Sequence, residues 1–131
     1  AYTGGSDLEA HTFAENIGKF QAAGASVLGV SADSLDRLHQ FSADPNFCAG
    51  KFPIASDADT KVAKSYDLSV GAAREGAKDV RGQEIGHAFI ERVTYVIGRN
   101  GKVLATLSSK SVGLSPDQHV DKSLEIITAA K

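Results

Sequence analysis

The chain is poor in cysteine: its 131 residues hold one, Cys48, with three prolines and neither methionine nor tryptophan. A lone cysteine has no internal partner, so no disulfide framework is available, and by itself Cys48 reads as a small buried hydrophobe. No apolar run approaches the roughly 18 residues of a membrane-spanning helix, and the first residues do not show the charged and apolar regions of a secretory signal. No block of Lys or Arg forms a basic stripe, and a net charge of -2 leaves no electrostatic footprint for nucleic acid or an anionic membrane. His11, His39, His87 and His119 lack a paired metal-ligand spacing and default to the surface, so neither a metal nor another cofactor is called for.

What is present is the composition of an ordinary globular protein, 42% hydrophobic and 23% charged. The length suits a single domain over residues 1–131 that buries roughly two-thirds of the surface its unfolded chain exposes.

Phe13, Ile17 and Phe20 recur at helical spacing and predict a helix over Ser6–Ala23, with Ser6 and Glu9 as a capping box and Gly24 as the stop. Ala25–Ser31, with Val27, Leu28 and Val30, reads as a buried strand. Ser34 opens a second helix with Leu35, Leu38 and Phe41 on one face, ended by Asp44-Pro45. Phe52–Ala55 is a short strand. Asp57–Asp67 is a turn and a brief helix burying Val62, Ala63 and Tyr66. The turn reading also disposes of Asp57-Ala58-Asp59-Thr60 as a phosphotransferase motif, because Lys61 stands where that motif wants Thr or Val.

Periodicity is lost from Ser69 to Gly86, where four glycines among charged residues suggest a long surface loop or flap. Arg92–Gly98 and Lys102–Ser108 predict an antiparallel hairpin around Asn100-Gly101. Ser115 and Pro116 open a last helix with Val120, Leu124 and Ile127 inward. The order predicts an α/β fold, with helices flanking a sheet that is parallel first and antiparallel at its end. The first helix of such a domain normally follows a buried strand, yet only Ala1–Gly5 precede it.

Gly4-Gly5-Ser6 at a helix start gathers free backbone N–H groups and the positive end of the helix around position 6, a place for an anion or thiolate or simply for a serine cap. A serine hydrolase would need an aligned base and an oxyanion hole, and the second glycine of the nucleophile elbow is missing.

The run Thr3-Gly4-Gly5-Ser6-Asp7-Leu8-Glu9-Ala10 resembles the active-site turn of the peroxiredoxins, with serine in place of the attacking cysteine. The resemblance continues through Phe13, Phe20, Gly24-Ala25 and Gly29-Val30-Ser31-Ala32-Asp33-Ser34. It goes on through Phe52-Pro53, Ser56-Asp57, Val62-Ala63 and Tyr66 to Glu91–Ile97 and Asn100–Val103. Its detail is that of the Q-type, or bacterioferritin-comigratory-protein, branch.

The resemblance implies a thioredoxin-like mixed sheet flanked by helices. It also implies a thiol peroxidase that reduces hydrogen peroxide and organic hydroperoxides and is recycled by thioredoxin or a glutaredoxin-like reductant. The expected state is a monomer or weak dimer, in the bacterial cytoplasm or periplasm. Position for position, Ser6 takes the place of the attacking thiol, Thr3 would hydrogen-bond thiolate and peroxide, Arg92 would stabilise both charges, and Glu9 would orient Arg92. Read without the resemblance, Arg92 is a surface strand residue and Glu9 a capping partner.

A hydroxyl has no sulfenic form and stays protonated at working pH, so the Ser6 form is expected to be inactive, and the change reads as an introduced exchange rather than a natural loss. Phe47-Cys48-Ala49-Gly50-Lys51-Phe52-Pro53 resembles the context of a resolving cysteine, which leaves Cys48 either that or inert. His11 occupies the branch's other resolving position. The family's leading hairpin, its first core strand and a proline ahead of the Thr would fall before Ala1, with that strand between those at Val27 and Val96. The sequence therefore reads as N-terminally incomplete. The competing reading is a natural non-catalytic relative that binds a partner through Ser69–Gly86.

Overall fold

The computed structural model describes residues 1–47 and 50–130; Cys48 lies outside the described residues. The order is α1 (Gly4–Ala22), β1 (Gly29–Ser31), α2 (Leu35–Ala43), β2 (Ile54–Ser56), α3 (Lys61–Ser65), β3 (Val70–Gly71), β4 (Phe89–Ile90), β5 (Val93–Ile97), β6 (Val103–Ser108), α4 (Ser109–Val112) and α5 (Pro116–Ala129). The strands pair as β1 with β2 in parallel and as β3 with β4 and β5 with β6 antiparallel.

α1 begins two residues before the predicted start. Thr3 has extended N-cap geometry, its carbonyl accepts from the Asp7 N–H, and Gly4 and Gly5 lie inside the first turn. Ser6 is thus the third helical residue and not the cap, and the predicted capping box with Glu9 does not form because the Glu9 carboxylate pairs with Arg92. At the far end Gly24 takes φ +78°, as a helix stop requires.

The aromatic face of α1 makes the core. Phe13 and Phe20 are buried with Tyr2, Ala10, Ala14, Phe41, Phe52 and Val120, while Ile17, Val27, Leu124 and Ile127 pack around them. α1 and α5 lie against each other, and α5 also packs on β5 and β6. Ser115 and Pro116 open α5 as predicted, with the Ser115 N–H donating to the Gln118 side chain at 2.8 Å.

Several expected core positions face outward. Alternation along the extended residues leading into β1 turns Val27 in and leaves Leu28 exposed, and within β1 it leaves Val30 exposed. Leu35 sits in the first turn of α2, beyond the buried pair Leu38 and Phe41. In the single turn of α3 only Ala63 is buried, and Val62 and Tyr66 are exposed. The β5–β6 hairpin, by contrast, is antiparallel as predicted, and its tight turn through Arg99-Asn100-Gly101 is closed by the Gly101 N–H on the Gly98 carbonyl and the Gly98 N–H on the Lys102 carbonyl.

The segment Ser69–Gly86 is more ordered than a flap. It contains β3 and a bridge between Lys78 and Glu84, and it buries Asp79 and Ile85. Asp79 accepts from the N–H groups of Arg81 and Gln83 and from the Arg37 guanidinium at 2.7 Å, and the Val80 N–H bonds to the Tyr2 carbonyl. A polar sequence without period is held here by one buried carboxylate.

Candidate active site

The start of α1 holds three of the five candidate residues within two turns. Thr3 caps by position but makes no side-chain cap bond, so helix geometry provides no acceptor for the N–H groups of Gly4, Gly5 and Ser6. These amides and the helix dipole give the half-buried Ser6 a positive backbone environment.

Arg92, just before β5, reaches across to this turn and forms an ion pair with Glu9. A Cβ on Gly5 would lie 2.9 Å from its Nη2 and 3.5 Å from Cγ of Pro116. The guanidinium therefore rests on bare backbone next to Ser6, in space that any larger residue at position 5 would fill, with the first residue of α5 as a wall. Burial pushes the Glu9 carboxyl above its ordinary value, against the opposing pull of Arg92. The pair is a partly desolvated charge couple, and removing one member would strand the other.

The structure thus brings Thr3, Ser6, Glu9 and Arg92 together at the first two turns of α1, while Cys48, the fifth candidate, falls outside the described residues. Its chain neighbour Phe47 stacks on Phe41 and meets Tyr2 edge-on, with ring centroids 4.9 and 5.4 Å apart. His11, on α1, pairs with Glu15 at 3.0 Å on an exposed face.

Two polar clusters were not legible as such. Asp33 is fully buried, with Nε of Arg37 at 2.7 Å and Nε2 of His87 at 2.9 Å, and Arg37 continues to Asp79, which also pairs with Arg81. Arg81 in turn lies over the Tyr2 ring, 3.5 Å from its centroid. A cavity of about 410 Å³ opens beside this network, lined by Ser34, Arg37, Gln40, Arg81 and His87 among others. The second cluster is His119, which the sequence assigns to the surface but which is fully buried between Thr94 and Ser109. It precedes Val120 and lies one turn before the buried Ser123, so it belongs to the margin of the apolar stripe of α5. Among the described residues no group of three or more His, Cys, Asp or Glu side chains could hold a metal, and no helix is long and apolar enough to cross a membrane.

Comparison with known proteins gives this arrangement a context. A profile of the AhpC/TSA family matches residues 1–106. The chain is 28% identical over 129 residues to the chloroplastic peroxiredoxin Q of Sedum lineare, covering 98% of itself and 59% of that protein. It is 31% identical over 102 residues to peroxiredoxin Bcp of Xanthomonas campestris, covering 78% of itself and 57% of the relative. The chain thus spans somewhat under 60% of the length of these two curated relatives.

Among solved structures, peroxidoxin BcpB of Mycobacterium tuberculosis superposes with a TM-score of 0.76 at 28% identity, over 100% of this chain and 75% of that one. The Xanthomonas campestris bacterioferritin comigratory protein, described for its alkyl peroxide reduction activity, superposes with a TM-score of 0.73 at 29% identity, over 98% and 72%. The mixed helix and strand architecture is therefore the thioredoxin-like fold of these proteins, and the chain belongs to the AhpC/TSA family, among its Bcp and Q-type peroxiredoxins.

Proposed function

We propose that this chain is the catalytic part of a thiol peroxidase of hydroperoxides whose attack position is held by Ser6, and that the Ser6 form does not turn over. The observation that carries the reading is the Arg92 guanidinium seated on Gly5 and paired with Glu9 at the uncapped first turn that contains Ser6.

That turn suits a thiolate. An ordinary thiol ionises near pH 8.5, and a helix N-terminus together with a nearby arginine lowers the value by one or more units, each worth about 1.4 kcal/mol. With sulfur at position 6, the thiolate attacks one oxygen of the hydroperoxide, the O–O bond breaks, and the other oxygen leaves as alkoxide or hydroxide and takes a proton from water. The sulfur becomes sulfenic acid. Arg92 stabilises negative charge first on sulfur and then on the departing oxygen, and Thr3 hydrogen-bonds both. Condensation with a second thiol releases water and gives a disulfide, which an external dithiol of the thioredoxin or glutaredoxin kind reduces. The Ser6 hydroxyl cannot begin this sequence, because it stays protonated and oxygen has no counterpart to the sulfenic state.

Cys48 is the proposed resolving thiol, a reading supported by the packing of Phe47 on Tyr2, four residues before the attack position. In Ser6→Cys protein treated with one equivalent of hydrogen peroxide, peptide mapping should find an internal disulfide to Cys48. Only intermolecular dimers through position 6 would reject that role.

The test of the main reading is hydroperoxide consumption with a dithiol reductant. Ser6→Cys protein should turn over and the unsubstituted chain should not; a folded Ser6→Cys protein without turnover would sink the proposal.

A further inference from the structure

Among the described residues His119 alone of the four histidines has no exposed surface, and both of its ring nitrogens are engaged. Nδ1 lies 2.9 Å from the Thr94 hydroxyl and Nε2 lies 2.8 Å from the Ser109 hydroxyl. The Ser109 hydroxyl donates its one hydrogen to the Leu114 carbonyl at 2.7 Å, so it can only accept from the imidazole. Nε2 therefore carries the proton, and in the neutral ring Nδ1 accepts from Thr94.

Both partners adjoin Arg92. Thr94 is two residues further along, in β5, and the Ser109 N–H donates to the Arg92 carbonyl at 3.2 Å. The helix that carries His119 also contributes Pro116, which flanks the same point above Gly5 that the guanidinium occupies.

We propose that His119 is the positioning residue for Arg92, holding the main chain around it through Ser109 and Thr94 so that its guanidinium rests on the first turn of α1. The ring acts through its donor bond to Ser109 and touches neither substrate nor position 6. Burial, and after it the positive charge of Arg92, hold the imidazole below its ordinary ionisation range, in keeping with the neutral form that this bond pattern needs. A charged ring would also push against the residue it positions.

The inference rests on the proposed role of Arg92 beside position 6, and the experiment separates the two. In a Ser6→Cys background that also carries Cys48→Ala, so that position 6 holds the one thiol, that thiol is titrated by its thiolate absorbance and each protein is melted. In this background alone it should ionise well below the ordinary thiol value of about 8.5. If it ionises near that value, the reading of the site fails and takes this inference with it.

Given a lowered value, His119→Gln, whose amide can still donate to Ser109, should keep it. His119→Asn retains only the partner at Thr94, and Ser109→Ala removes the ring's acceptor together with the bond to the Leu114 carbonyl; each should raise the thiol pKa by about one unit, part of the shift an adjacent opposite charge produces. Should His119→Asn fail to fold, Ser109→Ala decides. Lower melting temperatures with an unmoved thiol titration would mean that the histidine is merely structural, and would overturn the proposal.

Discussion

Gly5 shows how much one missing side chain matters at this site. Its backbone φ is not in the left-handed region, so glycine is not needed there for conformation, and what it provides is space for Arg92. Gly5→Ala should therefore separate stability from function. Alanine is the better helix former by up to about 1 kcal/mol, and the atom that it crowds is the far end of a flexible side chain. In the Ser6→Cys background, Gly5→Ala should leave the melting temperature unchanged or slightly raised while peroxide turnover falls about tenfold or more. Equal activity in the two proteins would show that Arg92 does not act from this position. Glu9 teaches a related lesson, since its spacing from Ser6 fits a capping box, yet a partner distant in sequence takes its carboxylate. Local patterns report what a residue can do with its neighbours, whereas Arg92 is 83 positions away.

At the scale of elements, the long amphipathic pieces were legible and the short or aperiodic ones were not. α1 and α5 repeat their apolar residues over several turns, so the faces of Phe13, Phe20, Val120, Leu124 and Ile127 follow from spacing alone. β1 has three residues and α3 one turn, too little for a period to show which side is covered, and Leu28, Val30, Val62 and Tyr66 accordingly faced outward against expectation. The candidate residues around Ser6 were found through family resemblance; physical spacing alone marked only a helix start. The Ser69–Gly86 segment owes its order to tertiary charge pairing, which hydrophobic pattern does not record. If Asp79 is its anchor, Asp79→Ala should speed amide exchange across residues 77–85 far more than in α1, because the N–H groups of Arg81 and Gln83 lose their acceptor and Arg37 loses a partner. Uniform acceleration over the whole chain would assign Asp79 to global stability instead.

For the whole molecule, the buried ionisable groups set how stability depends on acid. Asp79 ionises below its ordinary value of 3.8: burial opposes this, but the backbone donors of Gln83 and Arg81, with the side chains of Arg81 and Arg37, outweigh it. It therefore adds stability that is complete above that value and is lost as pH falls through it toward the folded-state one. His119 works in the same direction in a higher window. Its folded form resists protonation, so below the ordinary value of 6.5 the unfolded chain takes up a proton that the native state refuses. Stability must then fall with pH until the folded-state pKa is reached, by no more than about 1.4 kcal/mol per pH unit for one proton. Glu9 opposes this trend nearer its own ordinary value of 4.5, because its raised pKa lets the native state bind the proton first. Urea unfolding between pH 7.5 and 5 covers the window of His119, and comparison with a variant that lacks the imidazole singles it out. The unsubstituted chain should lose stability across that interval beginning below 6.5, and His119→Gln, which keeps the bond to Ser109 but cannot titrate, should flatten the slope. A slope that persists in His119→Gln would show that another group carries the proton linkage and that the buried imidazole ionises alike in the folded and unfolded chain.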